Sequence, residues 1–215
     1  MTATLVGATG LIGSYLLEAL LNDPWFDTVR ILIRRPMDIT HAKLEKKIVD
    51  FNDSDSVLVA LSNSDVAFCA IGSTMKKVKG DKEAYRKIDF EIPVNLARFC
   101  KMTGCGKFIL VSSAGANAKS MNFYQRLKGE TDDAVKEAGP KTVHIMRPSL
   151  LLGERKEFRL GENIGKAVMT FLSFLIPEKF KAIQGKDVAK VMIALSKKRD
   201  EGIFIHENRE IRNYH

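Results

Sequence analysis

The sequence predicts a single α/β domain with a doubly wound parallel sheet, and three observations support this fold class. Apolar segments of strand length alternate with segments of helical periodicity along the 215 residues. The strand segments are continuous apolar runs, which is typical of parallel strands covered by helices on both faces. A glycine-rich loop joins the first strand to the first helix. A chain of this length fills one well-buried domain and is short for two.

The strands are assigned from short apolar runs that turn residues or charges interrupt. In chain order they are Thr2–Val6, Thr28–Ile33, Lys47–Val49, Val66–Ile71, Lys107–Val111, Thr142–Met146 and Gly202–His206. The helices are assigned from apolar residues three or four positions apart. In chain order they are Leu11–Leu21, Ser54–Leu61 (a short helix or turn), Asp81–Lys101, Phe123–Ala138, Gly161–Ile176 and Lys186–Lys197. Pro93 predicts a kink or a break in the third of these helices.

Three glycines, Gly7, Gly10 and Gly13, lie between the first strand and the first helix. The first allows a tight turn, the second a close approach of the backbone to a pyrophosphate, and the third close packing of helix and strand. The free N–H groups and positive dipole end of the helix attract phosphate. No Gly-Lys-Ser/Thr follows, which excludes a P-loop. The placement of the loop therefore predicts a Rossmann-type dinucleotide site.

Two arginines, Arg34 and Arg35, follow the second predicted strand. Dinucleotide sites that prefer NAD(H) carry an acidic residue here, which binds the ribose 2′-hydroxyl. A carboxylate would repel a 2′-phosphate, whereas a guanidinium pairs with it through two hydrogen bonds. The sequence thus predicts NADP(H) as the cofactor, with an affinity for NADPH at least about tenfold above that for NADH.

No linker, internal repeat or low-complexity stretch divides the chain, so we expect one domain over residues 1–215. Residues 1–147 would form the cofactor-binding core. Residues 148–215 are less regular, and we expect them to form a small substrate-side lobe with a closing helix.

The composition limits the partners that the protein can have. The net charge is +8, but the lysines and arginines are scattered and lack interleaved aromatic residues, so nucleic-acid binding is the weakest hypothesis. The longest apolar run, Val168–Pro177, is too short to cross a bilayer. We expect no membrane association and, without the features of a signal peptide, a cytoplasmic location. The three cysteines, Cys69, Cys100 and Cys105, lack metal-site spacing and predict free thiols and no metal.

A tyrosine and a lysine four positions apart, Tyr124 and Lys128, share one face of a predicted helix. An ammonium beside a phenol favours the phenolate, which makes the hydroxyl a usable general acid or base. Ser112 and Ser113 end the preceding strand, where ligands of open α/β sheets bind. A serine hydroxyl there can polarise a carbonyl or alcohol oxygen. These residues predict hydride transfer to or from a small carbonyl or alcohol substrate.

Together the motifs resemble those of an atypical short-chain dehydrogenase/reductase, and more closely the Tat-interacting-protein-like branch of NAD(P)H-binding oxidoreductases. The likeness extends from Leu5 to about Glu162. Besides the glycine loop, it rests on Ala70–Thr74, Ile88–Phe90, Val111–Gly115, Tyr124–Glu130 and Arg147–Arg155.

The resemblance implies a role for each matching residue. Pyrophosphate contacts would come from Thr9, Gly10, Leu11 and Ile12, adenosine contacts from Ile71 and Gly72, and contacts at the nicotinamide end from Leu151 and Arg159. Tyr124 would be the proton donor, with Lys128 beside it and Ser113 as the polarising hydroxyl. The asparagine that the wider family carries on one helix has no match here, and Asp89 and Asn95 lie on the corresponding helix.

The sequence leaves the physiological role open between two readings. An NADP(H)-dependent oxidoreductase is favoured by the residue set Ser113, Tyr124 and Lys128. The alternative is a redox-sensing protein that binds NADPH without turnover, because the segment after Arg147 is small and leaves few residues to form a specific substrate pocket. A homodimer is also open, since helices Asp81–Lys101 and Phe123–Ala138 would pair across an interface or pack on the sheet.

Overall fold

The computed structural model describes residues 1–153 and 181–214. Its main sheet has seven parallel strands in the order β3-β2-β1-β4-β5-β6-β9. A separate ladder pairs the two-residue strands β7 and β8. The strands are β1 (Thr2–Val6), β2 (Thr28–Ile33), β3 (Leu44–Ile48), β4 (Val66–Cys69), β5 (Lys107–Val111), β6 (Thr142–Arg147), β7 (Leu151–Leu152), β8 (Ile183–Gln184) and β9 (Gly202–Glu207).

Helices cover both faces of this sheet. They are α1 (Leu11–Asn22), α2 (Ser54–Leu61), α3 (Lys82–Arg86), a π-helical turn (Lys87–Glu91), α4 (Ile92–Thr103), α5 (Phe123–Ala138), α6 (Gly185–Ser196) and α7 (Asn208–Arg212). One apolar core lies between the sheet and α1 and α6, and a second lies between the sheet and α2, α4 and α5. The predicted doubly wound parallel sheet is therefore confirmed.

The structure corrects several element boundaries. The third strand covers Leu44–Ile48 instead of Lys47–Val49, because an edge strand can carry charged, exposed residues and lacks the apolar run used to find it. The fourth strand ends at Cys69 rather than Ile71. Strand β9 and helix α6 complete the main sheet and one helical layer. The predicted helix Gly161–Ile176 lies outside the described residues.

The long predicted helix Asp81–Lys101 is divided, as Pro93 suggested. A π-helical turn separates α3 from α4 and ends just before Pro93. Proline has no N–H to donate to the carbonyl four residues earlier, which here belongs to Asp89. That carbonyl instead accepts a hydrogen bond from Oγ1 of Thr131, at 3.1 Å. The break in helix α3–α4 is thus bonded to helix α5.

Within the described residues, no helix combines the length and the apolar character needed to cross a membrane. The three cysteines are buried free thiols, as predicted. Burial raises the pKa of Cys69 to about 12, so this thiol is unreactive at neutral pH.

A histidine in the sheet gives the fold a dependence on pH. His144 of β6 is fully buried, with its Nδ1 3.0 Å from Nε2 of His206 and its Nε2 3.5 Å from Oδ1 of Asp200. Burial is the main cause that lowers the pKa of His144 to about 4, and the positive charge of Lys107 acts in the same direction. The folded protein therefore keeps this imidazole neutral in mildly acidic solution.

We expect His144 to make the free energy of unfolding fall by about 3 kcal/mol between pH 7 and pH 4. Unfolded His144 takes up a proton below its ordinary pKa of 6.5, whereas folded His144 stays neutral down to about pH 4. Its stabilisation is complete above pH 6.5 and is lost as the pH falls. Urea unfolding at both pH values measures this, and His144→Asn should flatten the dependence. The exposed control His41→Asn should leave it intact, and equal slopes for all three proteins would contradict the expectation.

Candidate active site

The glycine loop connects β1 to α1. Gly7 has a φ of +94°, which favours glycine. A Cβ atom at Gly13 would lie 2.0 Å from the carbonyl oxygen of Gly7, so only glycine lets the helix pack this closely. Thr9 and Gly10 are exposed, and the N-cap residue of α1, Gly10, has no side chain that could bond to the first N–H groups of the helix. This bare helix N-terminus fits the pyrophosphate of a dinucleotide.

Two residues assigned to the pyrophosphate use their side chains elsewhere. Ile12 is buried in the core. The Leu11 side chain packs against Gly153 and Gly185. A Cβ atom on Gly153 would lie 2.8 Å from this side chain, and a Cβ atom on Gly185 would lie 3.0 Å from it. Leu11 and Ile12 can therefore offer only backbone N–H groups to a phosphate. Leu151 lies on β7 and packs against the core that includes α1.

The remaining cofactor candidates flank this loop, except Arg159, which lies outside the described residues. Arg34 and Arg35 are exposed directly after β2, and within the described part of the chain neither makes a hydrogen bond or an ion pair. Ile71 and Gly72 follow β4. The chain before them lies against the glycine loop, because a Cβ on Gly7 would come within 2.6 Å of the Ala70 carbonyl.

The tyrosine and the lysine lie on the first turns of α5. Asn122 caps this helix by accepting a hydrogen bond from the backbone N–H of Gln125, at 3.2 Å. Tyr124 is 40% exposed, whereas Lys128, one turn later, is 5% exposed. Ser113 is half-buried beyond the end of β5, while its neighbour Ser112 is buried. The structure thus puts an accessible phenol and a buried ammonium at the carboxyl edge of the sheet.

The loop from β5 to α5 is held tightly against this helix. The N–H of Asn117 donates to the carbonyl of Gln125, at 3.0 Å. Gly129 lies beneath the loop, and a Cβ atom there would be 2.1 Å from the backbone nitrogen of Ala118. The need for glycine at position 129 could not be predicted from the sequence, because it depends on a contact with another segment of the chain.

Lys128 has a carboxylate partner that the sequence did not identify. Its Nζ is 2.9 Å from Oδ1 of Asp89 in the π-helical turn, and both side chains are buried. The other carboxylate oxygen accepts a hydrogen bond from the backbone N–H of Ser73, at 2.7 Å. Burial works to lower the pKa of Lys128, but the charges of Asp89 and Tyr124 outweigh it and raise that pKa overall. Lys128 therefore stays charged although it is removed from water.

A second set of ion pairs, in which only Asp132 is fully buried, anchors α5 to the sheet. Arg147, at the end of β6, binds Asp132 of α5 at 2.9 Å and Glu207 of β9 at 3.0 Å. Burial raises the pKa of Asp132, although Ser112 and Arg147 both act against that effect. These contacts hold the helix that carries Tyr124 and Lys128 in a fixed position.

Comparison with known proteins shows the family. A family model described as NAD(P)H-binding matches residues 7–199. The chain belongs to this NAD(P)H-binding family. This NAD(P)H-binding chain is 34% identical over 212 residues to "Protein FMP52, mitochondrial" of Candida albicans, covering 94% of this chain and 90% of that one. It is 32% identical over 165 residues to "Protein HTATIP2" of Rattus norvegicus, covering 75% and 67% of the two chains. The resemblance drawn from the motifs is therefore confirmed.

Solved structures agree with the fold of this NAD(P)H-binding chain. "MoeE5 in complex with UDP-glucuronic acid and NAD" aligns with a TM-score of 0.75 at 17% identity, over 95% of this chain and 75% of that one. Vestitone reductase from alfalfa (Medicago sativa L.) aligns with a TM-score of 0.67 at 19% identity, over 94% and 75% of the chains. At these identities the likeness shows the fold alone.

The relatives correct one expectation. The FMP52 proteins of Candida albicans and Debaryomyces hansenii are named mitochondrial. This finding overturns the cytoplasmic location expected from the sequence, which rested only on the lack of recognisable signal-peptide features.

Proposed function

We propose that the chain is an NADP(H)-dependent oxidoreductase of the short-chain dehydrogenase/reductase type that acts on a small carbonyl or alcohol. The observation that carries this proposal is the buried, charged Lys128 one helical turn from the accessible Tyr124. This pair lies at the carboxyl edge of the sheet, where ligands of open α/β sheets bind. A buried ammonium that only stabilised the fold would not need an exposed phenol beside it.

Each residue has a distinct task in this proposal. The Tyr124 hydroxyl gives a proton to the carbonyl oxygen, and the Ser113 hydroxyl donates a hydrogen bond to the same oxygen. Lys128 holds its positive charge next to the phenol, which favours loss of that proton, and it can also bind the ribose of the nicotinamide. When bound, the cofactor supplies or accepts the hydride.

We further propose that NADP(H) is preferred over NAD(H), because Arg34 and Arg35 are exposed at the end of β2 and have no hydrogen-bond or ion-pair partner among the described residues. NADPH should bind at least about tenfold more tightly than NADH, which corresponds to about 1.4 kcal/mol. The double variant Arg34→Ala/Arg35→Ala should remove this difference by weakening NADPH alone. Fluorescence titration measures both affinities, with the exposed Arg98→Ala as the control. Equal affinities of the wild type for the two nucleotides would refute the preference.

The oxidoreductase proposal is tested by following NADPH oxidation with a panel of aldehydes and ketones. Turnover of a carbonyl with matching loss of NADPH supports the proposal. Tight NADPH binding without turnover of any carbonyl, in either direction, supports the alternative of a redox-sensing protein.

A further inference from the structure

We propose that Asp89 is the positioning residue for Lys128, and that its carboxylate keeps the lysine charged and directed towards the site. This inference rests on the proposed function, because it assigns Lys128 a task at the cofactor. Asp89 touches neither cofactor nor substrate in this proposal and acts only through the lysine.

The two oxygens of Asp89 bind two different parts of the site. Oδ1 lies 2.9 Å from Nζ of Lys128 on α5, and Oδ2 accepts the 2.7 Å hydrogen bond from the N–H of Ser73 in the loop after β4. That loop is the one that continues from Ile71 and Gly72. The carboxylate therefore connects the proposed cofactor loop to the proposed catalytic helix.

Asp89 lies in the π-helical turn that separates α3 from α4, and its position depends on that turn. Its backbone carbonyl is bound by Oγ1 of Thr131, one turn beyond Lys128 on α5. Its side chain binds Lys128 on the same helix. The Thr131 contact and the hydrogen bond from the Ser73 N–H do not involve the lysine, so they hold Asp89 in place independently of Lys128.

Charge explains why a carboxylate is needed here. An ammonium buried to this degree loses its hydration, which by itself favours the neutral amine. Among the described residues, the ionisable groups that influence Lys128 are Asp89, Tyr124, Cys69 and Asp132. Asp132 already pairs with Arg147, and burial keeps Cys69 neutral. Asp89 is therefore the carboxylate that is left to pair with Lys128, and its charge is the largest of the causes that raise the pKa of the lysine.

The first experiment uses the wild-type protein without cofactor. Lysine side chains labelled with ¹³C and ¹⁵N are titrated by NMR, and the Lys128 signal is assigned by its loss in Lys128→Arg. We expect the midpoint of the Lys128 titration to lie above the ordinary lysine value of 10.5, because the charge of Asp89 raises the pKa of this lysine. A midpoint below 10.5 would overturn the inference.

The second experiment removes the charge of Asp89 but keeps its shape. In Asp89→Asn burial acts on Lys128 without the opposing carboxylate, so we expect Lys128 to lose its proton between pH 7 and pH 9 and the affinity for NADP⁺ to fall by at least about threefold over that range. The wild type and Asp133→Asn, a variant of an exposed carboxylate on α5, should show no such loss. A residue with a merely structural role would change the melting temperature without changing the pH profile.

The outcomes separate this inference from the proposed function. A wild type that binds no nicotinamide nucleotide defeats the proposed function, and the NMR titration then still decides the ion pair. An Asp89→Asn protein with the wild-type Lys128 titration and a flat binding profile defeats the inference while the function stands. If Asp89→Asn does not fold, recovery of folding in the uncharged pair Asp89→Asn/Lys128→Met supports the inference, and continued misfolding contradicts it.

Discussion

Replacement of Tyr124 by phenylalanine is expected to lower carbonyl-dependent NADPH oxidation by about 10²- to 10⁴-fold, the usual contribution of a positioned general acid. The hydroxyl is the only group that this change removes. Tyr124 is 40% exposed on the first turns of α5, so its loss leaves no cavity in the core. Stability and NADPH affinity should therefore stay close to those of the wild type, and the loss should appear in kcat.

A matched control uses Tyr214, which is distant from Tyr124 in sequence and contacts other residues. Tyr214 follows α7, where the ammonium of Lys198 lies 5.1 Å from the centre of its ring. Tyr214→Phe should keep the wild-type rate. Steady-state kinetics with the best carbonyl of the panel, together with thermal melting, measures both variants. An unchanged kcat in Tyr124→Phe would remove this residue from the mechanism and with it the assigned chemistry.

The parts of the fold that could be predicted from the sequence are those determined by neighbours along the chain. The loop from Gly7 to Gly13 is one such part, because its spacing, its preceding strand and its following helix all lie within the first 22 residues. The pair Tyr124 and Lys128 is another, because helical geometry alone puts them on one face. The inner strands were found because their burial on both faces makes them continuously apolar.

The parts that could not be predicted depend on contacts between distant segments. The pairing of Lys128 with Asp89 joins residues 39 positions apart, and it requires a π-helical turn whose position is known only once α4 and α5 are packed. The edge strand β3 was misplaced because its residues face water and follow no apolar pattern. A glycine inside a helix ordinarily only lowers helix stability, and the contact of Gly129 with the backbone of Asn117 and Ala118 exists only in the folded protein.

Gly129→Ala is expected to lower the free energy of unfolding by about 3 kcal/mol or more. In an exposed helix the same change would raise stability by about 1 kcal/mol, because alanine is the better helix former. Here the new Cβ would lie 2.1 Å from the Ala118 nitrogen and 2.3 Å from the Asn117 carbonyl carbon. These are backbone atoms, so no side-chain rotation can relieve the overlap and the β5–α5 loop must move.

The movement of that loop should also reach the site, because Asn117 is bonded to α5 one turn before Lys128. We therefore expect Gly129→Ala to lose NADPH-dependent turnover even at temperatures where it remains folded. Gly106→Ala is the control, since a Cβ there would meet its nearest neighbour at an ordinary 3.7 Å. Denaturant unfolding of both variants measures the difference. A Gly129→Ala protein as stable as the wild type would mean that the loop does not lie on α5, and Tyr124 and Ser113 would then lack the shared support that the proposed chemistry requires.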